Sequence, residues 1–194
     1  MRHNLFIEGY AFRLRPITDN DAAFVVELRN NPELNRYLHA GATREEDQLT
    51  WLARYYECKD SYYFIVERLA NGMPDGAVGL YDIDDRTGTG EWGRWILRPR
   101  SLAAVESAYL IYRVAFEGLG LRSVYCRTVS DNERVVSFHD SCGIRARQVL
   151  PRFFELGGCS HDAVEHRVDF ADWPTLKIRL EQLAQLTARK VNRG

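Results

Sequence analysis

The sequence lacks the features that mark membrane, metal-binding and nucleic-acid-binding proteins. No apolar run approaches the ~20 residues that a transmembrane helix needs. The opening stretch, MRHNLFIEGYAFRLRP, holds no long apolar core of the kind found in secretory signals, and the expected location is the cytoplasm. Charge of one sign is missing too: 26 Lys and Arg face 27 Asp and Glu, a formal net charge of −1. That balance leaves no global basic field for a phosphate backbone or an anionic bilayer. Cysteine is scarce and scattered, and Cys58, Cys126, Cys142 and Cys159 match no zinc spacing. A chain of 194 residues, 45% of them hydrophobic, can bury a core without disulfides, so these are read as reduced thiols. His3, His39, His139, His161 and His166 form no helical His-x-x-x-His pair, and no metal is expected. Repeats, low-complexity segments and linkers are absent as well, which predicts one domain over residues 1–194.

What is present is a succession of strand and helix periods. FIEGYAFRLRPI alternates apolar and polar residues and predicts a first strand. In TDNDAAFVVELRNNP, Thr18 is a candidate N-cap, acids fill the first turn, and Asn30-Asn31-Pro32 stops the helix. A short second helix is expected over Pro32–Leu38. A third opens with a Thr-x-x-Glu capping box, Thr43 and Glu46, and sets Leu49, Leu52 and Tyr56 on one face. Three strand-like runs follow, YYFIVERL, AVGLYDID and EWGRWIL, the first two joined by the turn-rich ANGMPDG. The period is helical from Leu102 to Gly118, SVYCRTV reads as a buried strand, and a short helix opens at Asn132. RARQVLPRFFELG and DAVEHRVDF read as a hairpin. The last segment carries Leu176, Leu180, Leu183 and Leu186 at helical spacing. It reads as an appended helix over 174–190 that packs on the core, with a homodimer contact as the alternative. The sum predicts an α/β fold, with a mixed central sheet of about seven strands flanked by helices and a core over about 10–170.

Two placements stand out chemically. Strict alternation in EWGRWIL puts Glu91 with Gly93, Trp95 and Leu97 on one face, and Trp92, Arg94 and Ile96 on the other. His139 shares a helical stripe with Val135, Phe138 and Cys142. It is either a packed core histidine or a working one.

Three stretches in this order resemble the GNAT family of acetyl-CoA-dependent N-acetyltransferases, over about residues 10–170. GEWGRWILRP entering RSLAAVESAYLIYRVAFEGLGL resembles the family's central strand, acyl-CoA pyrophosphate loop and following helix. Asn132, Val135, Phe138, His139 and Gly143-Ile144 match the spacing of its N-x-x-A-x-x-L-Y-x-x-x-G-F pattern. LRNNPELNRYL with TWL, and Val114-Ala115-Phe116 through Leu119 and Leu121, are similar to one branch of the family. That branch acetylates 4-amino-4,6-dideoxy sugar nucleotides in surface-glycan pathways such as the pseudaminic acid pathway. The resemblance implies acetyl transfer from acetyl-CoA to a primary amine of a small-molecule acceptor.

It also implies roles for particular residues. Acetyl-CoA offers a pantetheine arm that pairs as an added strand, and Ile96 and Leu97 would lie on that edge. Its pyrophosphate suits a helix N-terminus, which assigns Arg98, Arg100, Ser101, Leu102, Ala103 and Ala104 to the cofactor, joined by Asn132 and Val135. Leu102 and Ala104 stand where the family's Q/R-x-x-G-x-G/A loop has its two glycines. Leu102 therefore predicts either a slipped register or a less close approach to phosphate. The acceptor would meet Arg29, Asn30, Tyr81, Asp82, Trp92 and Arg94. Arg94 and Arg36 are candidates for a diphosphate, and Trp92 or Trp51 for stacking a base. Glu91 is the expected base, with Asp82 as the alternative. His139 occupies the place of the family's tyrosine, and is expected to serve the departing thiolate through its imidazolium or a neutral N–H, with a pKa near working pH. A protein N-terminus or polyamine acceptor stays open, as does a non-catalytic acyl-CoA-binding module. The arginines favour the sugar nucleotide, whereas Leu102 and the missing tyrosine favour the module.

Overall fold

The computed structural model describes residues 2–193; Met1 and Gly194, the ends of the expected domain, lie outside the described residues. The strands are β1 (Ile7–Glu8), β2 (Phe12–Pro16), β3 (Tyr62–Arg68), β4 (Pro74–Asp84), β5 (Thr89–Leu97), β6 (Ser123–Val129), β7 (Ala146–Leu156) and β8 (Cys159–Asp169). The helices are α1 (Ala22–Asn30), α2 (Glu45–Glu57), α3 (Ala104–Arg113), α4 (Glu133–Cys142) and α5 (Trp173–Val191). They form an α/β fold around one mixed eight-stranded sheet in the order β1-β2-β3-β4-β5-β6-β8-β7. Both faces of its centre are covered, as β3 shows residue by residue. Phe64 and Val66 enter the core under α3 and α5, while Tyr63 and Ile65 enter the core under α1 and α2. No helix among the described residues is long and apolar enough to cross a membrane.

The eighth strand comes from the segment expected to be one. FIEGYAFRLRPI folds back on itself, with Ile7 opposite Leu14 and the Gly9 N–H on the Phe12 carbonyl at 2.9 Å. Glu106, in the first turn of α3, fixes this hairpin. One of its carboxylate oxygens accepts the backbone N–H groups of Tyr10, Ala11 (2.9 Å) and Phe12 (3.1 Å). A Cβ on Gly9 would overlap that oxygen, so the turn demands glycine.

Two expected local features do not form. Residues 32–38 make turns rather than a helix. Asn31 is extended ahead of Pro32, and its side-chain oxygen accepts the Glu33 N–H at 2.8 Å, an alternative that competes with helical bonding. The Thr43–Glu46 capping box is also absent. Helix α2 begins at Glu45 with Arg44 as N-cap and no side-chain cap, and draws its support from the acids Glu45, Glu46 and Asp47 at the positive end of its dipole. Its buried face carries Leu52 and Tyr55, with Leu49 and Tyr56 half-buried beside them.

Helix α5, the expected C-terminal helix, packs on the core. Trp173, Leu176, Leu180, Ala184 and Ala188 are buried at a spacing of mostly four, within the core cluster that contains α3. The stripe follows 176–180–184–188, so Leu186 faces outward at 55% exposure.

The feature that positions the site is a bulge in β5. Ala77 pairs with Ile96 but Gly79 pairs with Gly93, so β5 holds one extra residue, and Arg94 takes φ 48°. The bulge reverses the expected alternation. Trp92 and Trp95 both face α3, where the Trp95 indole N–H donates to the Ser107 hydroxyl at 3.0 Å. Arg94 turns to the other face, between the rings of Tyr81 and Trp51. Parallel pairing of β5 with β6 stops at Glu91 opposite Tyr125. Beyond that point the two strands splay, as the strand-edge reading of RWILRP requires.

Candidate active site

The splay opens a cavity of about 600 Å³. β4 and β5 form one wall, β6 and the start of α4 another, and the α1–α2 connection and β7 close the rim.

Glu91 lies at the fork and is 8% exposed. Its carboxylate accepts the Tyr81 hydroxyl at 3.2 Å and the Arg127 guanidinium at 2.9 Å. Burial raises its pKa above the ordinary glutamate value, and the Arg127 charge opposes that rise. Asp82 lies at the rim, exposed, with φ 51°. The fork therefore favours Glu91 over Asp82 as the proton acceptor.

Arg29 and Arg94 line the same cavity. Arg29 donates to the His39 carbonyl at 2.8 Å and underlies Gly41, where a Cβ would strike the guanidinium. Arg94 donates to the Ser61 hydroxyl at 3.0 Å. The buried Tyr63 lies in the same lining. Neither has a carboxylate partner among the described residues. Asn30, by contrast, is exposed at the end of α1 and donates to the Thr43 carbonyl at 2.9 Å. It ties down the α1–α2 connection and is outside the cavity lining, as is the exposed Arg36, which lies over the Tyr37 ring.

Trp92 cannot stack a base. It is 1% exposed, wedged edge-on against Tyr112 and, at 5.3 Å between ring centroids, against His139. It supports the histidine from below. His139 itself lines the cavity yet is 2% exposed. Its Nε2 is 3.6 Å from Cys126 Sγ, and the His166 ring lies 5.0 Å away. His166 is fully buried and pairs with the Asp140 carboxylate at 3.0 Å. Burial, with His166 adding to it, pushes the His139 pKa down to about 3. Of the two forms expected for His139, imidazolium or neutral N–H, this burial favours the neutral one, which offers an N–H hydrogen bond; the pKa lies below the expected value near working pH.

The residues expected to meet the cofactor lie at the end of β5 and in the loop between β5 and α3. Ile96 is buried on the α1 side, and Leu97 ends the strand, where the β4 ladder leaves the other edge of β5 open. The Ser101 hydroxyl bridges the Asp75 carboxylate and the Ala103 N–H. Helix α3 starts at Ala104, which leaves the N–H groups of its first turn without intrahelical partners. Leu102 is 42% exposed and Arg100 is exposed with φ 63°. Arg98 departs from expectation. Its guanidinium donates to the Pro74 carbonyl at 3.1 Å and pairs with Glu27 at 3.4 Å, so it braces β4 and α1. Asn132 and Val135 reach the cavity from the start of α4.

Sequence reasoning missed Arg127, Phe153 and Phe154. Arg127 is one of many arginines, and only the fold sets it between Glu91 and Glu165. The two phenylalanines lie in a hairpin read as a plain strand, and the one available signal was Pro151 inside it.

The family described as "Acetyltransferase (GNAT) domain" matches residues 12–145. A solved structure described as "Apo FdhC- a nucleotide-linked sugar GNAT" is 29% identical, with TM-score 0.75 over 94% of this chain and 98% of that one. A GCN5-related N-acetyltransferase from Brucella melitensis has TM-score 0.80 at 21% identity, covering 93% and 85% of the two chains. A mutant spermidine N-acetyltransferase SpeG from Vibrio cholerae has TM-score 0.74 at 17% identity, covering 84% and 96%. These last two are likenesses of fold. No curated protein matches the chain.

Proposed function

The chain belongs to the GNAT acetyltransferase family, whose members use acyl-CoA donors, and from that premise we propose that it acetylates the primary amine of an amino-sugar nucleotide with acetyl-CoA. The observation that carries the acceptor class is the placing of Arg29 and Arg94 in one cavity lining without carboxylate partners. Like charges in one partly desolvated lining call for an anion, and a diphosphate supplies one in bidentate form. A polyamine would be repelled there. The name of the nucleotide-linked sugar GNAT structure, at 29% identity, agrees with this reading.

In the proposed reaction the acceptor ammonium gives a proton to Glu91, whose raised pKa brings it closer to the operating pH. The free amine attacks the thioester carbonyl. Backbone N–H groups on the open edge of β5 near Leu97 are the candidate donors to the oxyanion. The amine–carbonyl bond forms, the carbon–sulfur bond breaks, and the remaining excess proton on the attacking nitrogen passes to the departing thiolate, whose developing charge the neutral His139 N–H holds by a hydrogen bond. Pyrophosphate binding falls to the first turn of α3, with Arg100 and Ser101 beside it and Ala103, Leu102 and Ala104 shaping the loop. Tyr81 holds Glu91, and Asn132 and Val135 border the thioester.

Acetyl-CoA at about 100 times its Kd is expected to stabilise the fold by about 2.7 kcal/mol, read as a rise in Tm that NAD does not reproduce. No shift with acetyl-CoA would defeat the donor assignment. The acceptor is tested by free-CoA release on a panel of UDP- and dTDP-linked amino sugars, spermidine and N-terminal peptides. Within the panel, Arg94→Gln and Arg29→Ala are each expected to raise the KM for a sugar nucleotide by about tenfold, or ~1.4 kcal/mol, with the KM for acetyl-CoA unchanged. Turnover of spermidine alone would select the polyamine alternative, and acetyl-CoA binding without turnover of any amine would select the binding module.

A further inference from the structure

β7 departs from its partner inside the hairpin. Leu150 pairs with Ala163 and Phe154 pairs with His161, so β7 spends four residues where β8 spends two. The excursion is held open at a defined place. Arg152 takes φ 51°, and its N–H donates to the Asp162 carboxylate at 2.8 Å. A bulge of this kind re-aims side chains, and here it turns Phe153 and Phe154 towards the cavity. Phe154 is half-buried against the His39 ring at 5.7 Å. Phe153 keeps 45% of its surface exposed.

What lies behind Phe153 gives the exposed ring a meaning. Its inner face rests on the Arg127 guanidinium, 4.8 Å from the ring centroid. The same guanidinium also lies over Tyr125 at 4.5 Å, and its nitrogens bind Glu91 at 2.9 Å and Glu165 at 3.0 Å. One rigid planar group thus links the free aromatic face to the carboxylate that receives the amine proton. An amine at Glu91 would hold its carbon skeleton beside Phe153. A narrow methylene chain covers a phenyl ring poorly, whereas the flat C–H face of a saturated six-membered ring covers it well.

We propose that Phe153 is a specificity-determining residue that seats the C–H face of a ring-shaped acceptor, selecting amines carried on a saturated ring over amines on an open chain. This rests on the amino-sugar reading above and adds to it the residue that distinguishes ring from chain. Arg127 acts as the positioning residue that fixes the platform relative to Glu91.

The test compares wild type, Phe153→Ala and Phe153→Tyr on UDP- and dTDP-linked amino sugars and on spermidine. Phe153→Ala is expected to raise the KM for the active sugar nucleotide about tenfold, with kcat, the KM for acetyl-CoA and Tm nearly unchanged. The ratio of ring to chain kcat/KM falls by the same factor, and Phe153→Tyr restores it. An unchanged ratio in Phe153→Ala would make Phe153 a cover for Arg127 and overturn the inference. So would an equal loss of kcat on every acceptor, since that outcome reports a displaced Glu91. If wild type turns over spermidine and no sugar nucleotide, the acceptor reading itself fails, and this inference with it.

Discussion

Glu91→Gln is expected to lower kcat/KM by about 10³-fold near neutral pH, inside the range for a positioned general base and worth roughly 4 kcal/mol of transition-state stabilisation. Three observations set that size. Glu91 lies at the fork where β5 parts from β6, it is nearly buried, and its two oxygens are oriented by Tyr81 and Arg127. Glutamine preserves the shape and keeps one acceptor oxygen, enough for the bond from Arg127 or from Tyr81 but not both, and it takes up no proton. Folding should survive, because Arg127 keeps Glu165 as a partner at 3.0 Å. The pH profile supplies the sign. The base works ionised, so activity falls as pH drops through its pKa, and burial moves that limb above the ordinary glutamate value. In Glu91→Gln the limb disappears, and the residual rate rises with pH as the amine sheds its own proton. An acid limb that persists in the variant, or a loss of only a few-fold, would return Glu91 to a plain ion-pair role and promote Asp82.

The fold was legible wherever periodicity was long and both neighbours agreed with it. The β3–β5 strands, the helix after them, the β7–β8 hairpin and the C-terminal helix all follow from period and turn chemistry. The errors have local physical causes. An alternating pattern does not disclose that Gly9 is a turn, because the reason lies in Glu106, distant in sequence and bonded to three backbone N–H groups. Asn31 and Pro32 read as a helix start, but the Asn31 side chain holds a turn instead. The candidate site was legible in its resemblance-bearing residues and illegible in their orientation. Strict alternation sent Trp95 to the face of Glu91, and a single extra residue at Arg94 sent it to α3. Alternation has no term for a bulge, so the error propagated from Gly93 to Leu97. Arg127 gave no sequence signal, because its role depends on pairing between strands remote in the chain, and Phe153 gave only the indirect one of Pro151, because its role depends on a register shift.

His139 carries the second large effect, and it separates stability from catalysis. In the unfolded chain a histidine titrates near 6.5, and in the fold burial takes His139 to about 3. Between those values the unfolded state binds more protons than the folded one, so stability falls as pH falls below 6.5. At ~1.36 kcal/mol per pH unit, the loss is on the order of 3 kcal/mol by about pH 4.5 and grows further towards pH 3. His139→Phe fills the same cage of Trp92, Phe138 and His166 without a group to protonate. It should therefore lose less stability than wild type when urea midpoints at about pH 4.5 and pH 7.5 are compared, by on the order of 3 kcal/mol. Its kcat should nonetheless drop by about 10²-fold, the scale of losing one donor to a developing negative charge. His139→Tyr, which restores a donor on a similar ring, should keep more activity than His139→Phe. Because His139 is already neutral, wild-type kcat should show no descending limb between about pH 5.5 and 8 from imidazolium loss. Such a limb would mean that acetyl-CoA binding restores the proton that burial removes. Equal acid sensitivity in wild type and His139→Phe would instead show that His139 is not the source of the acid instability.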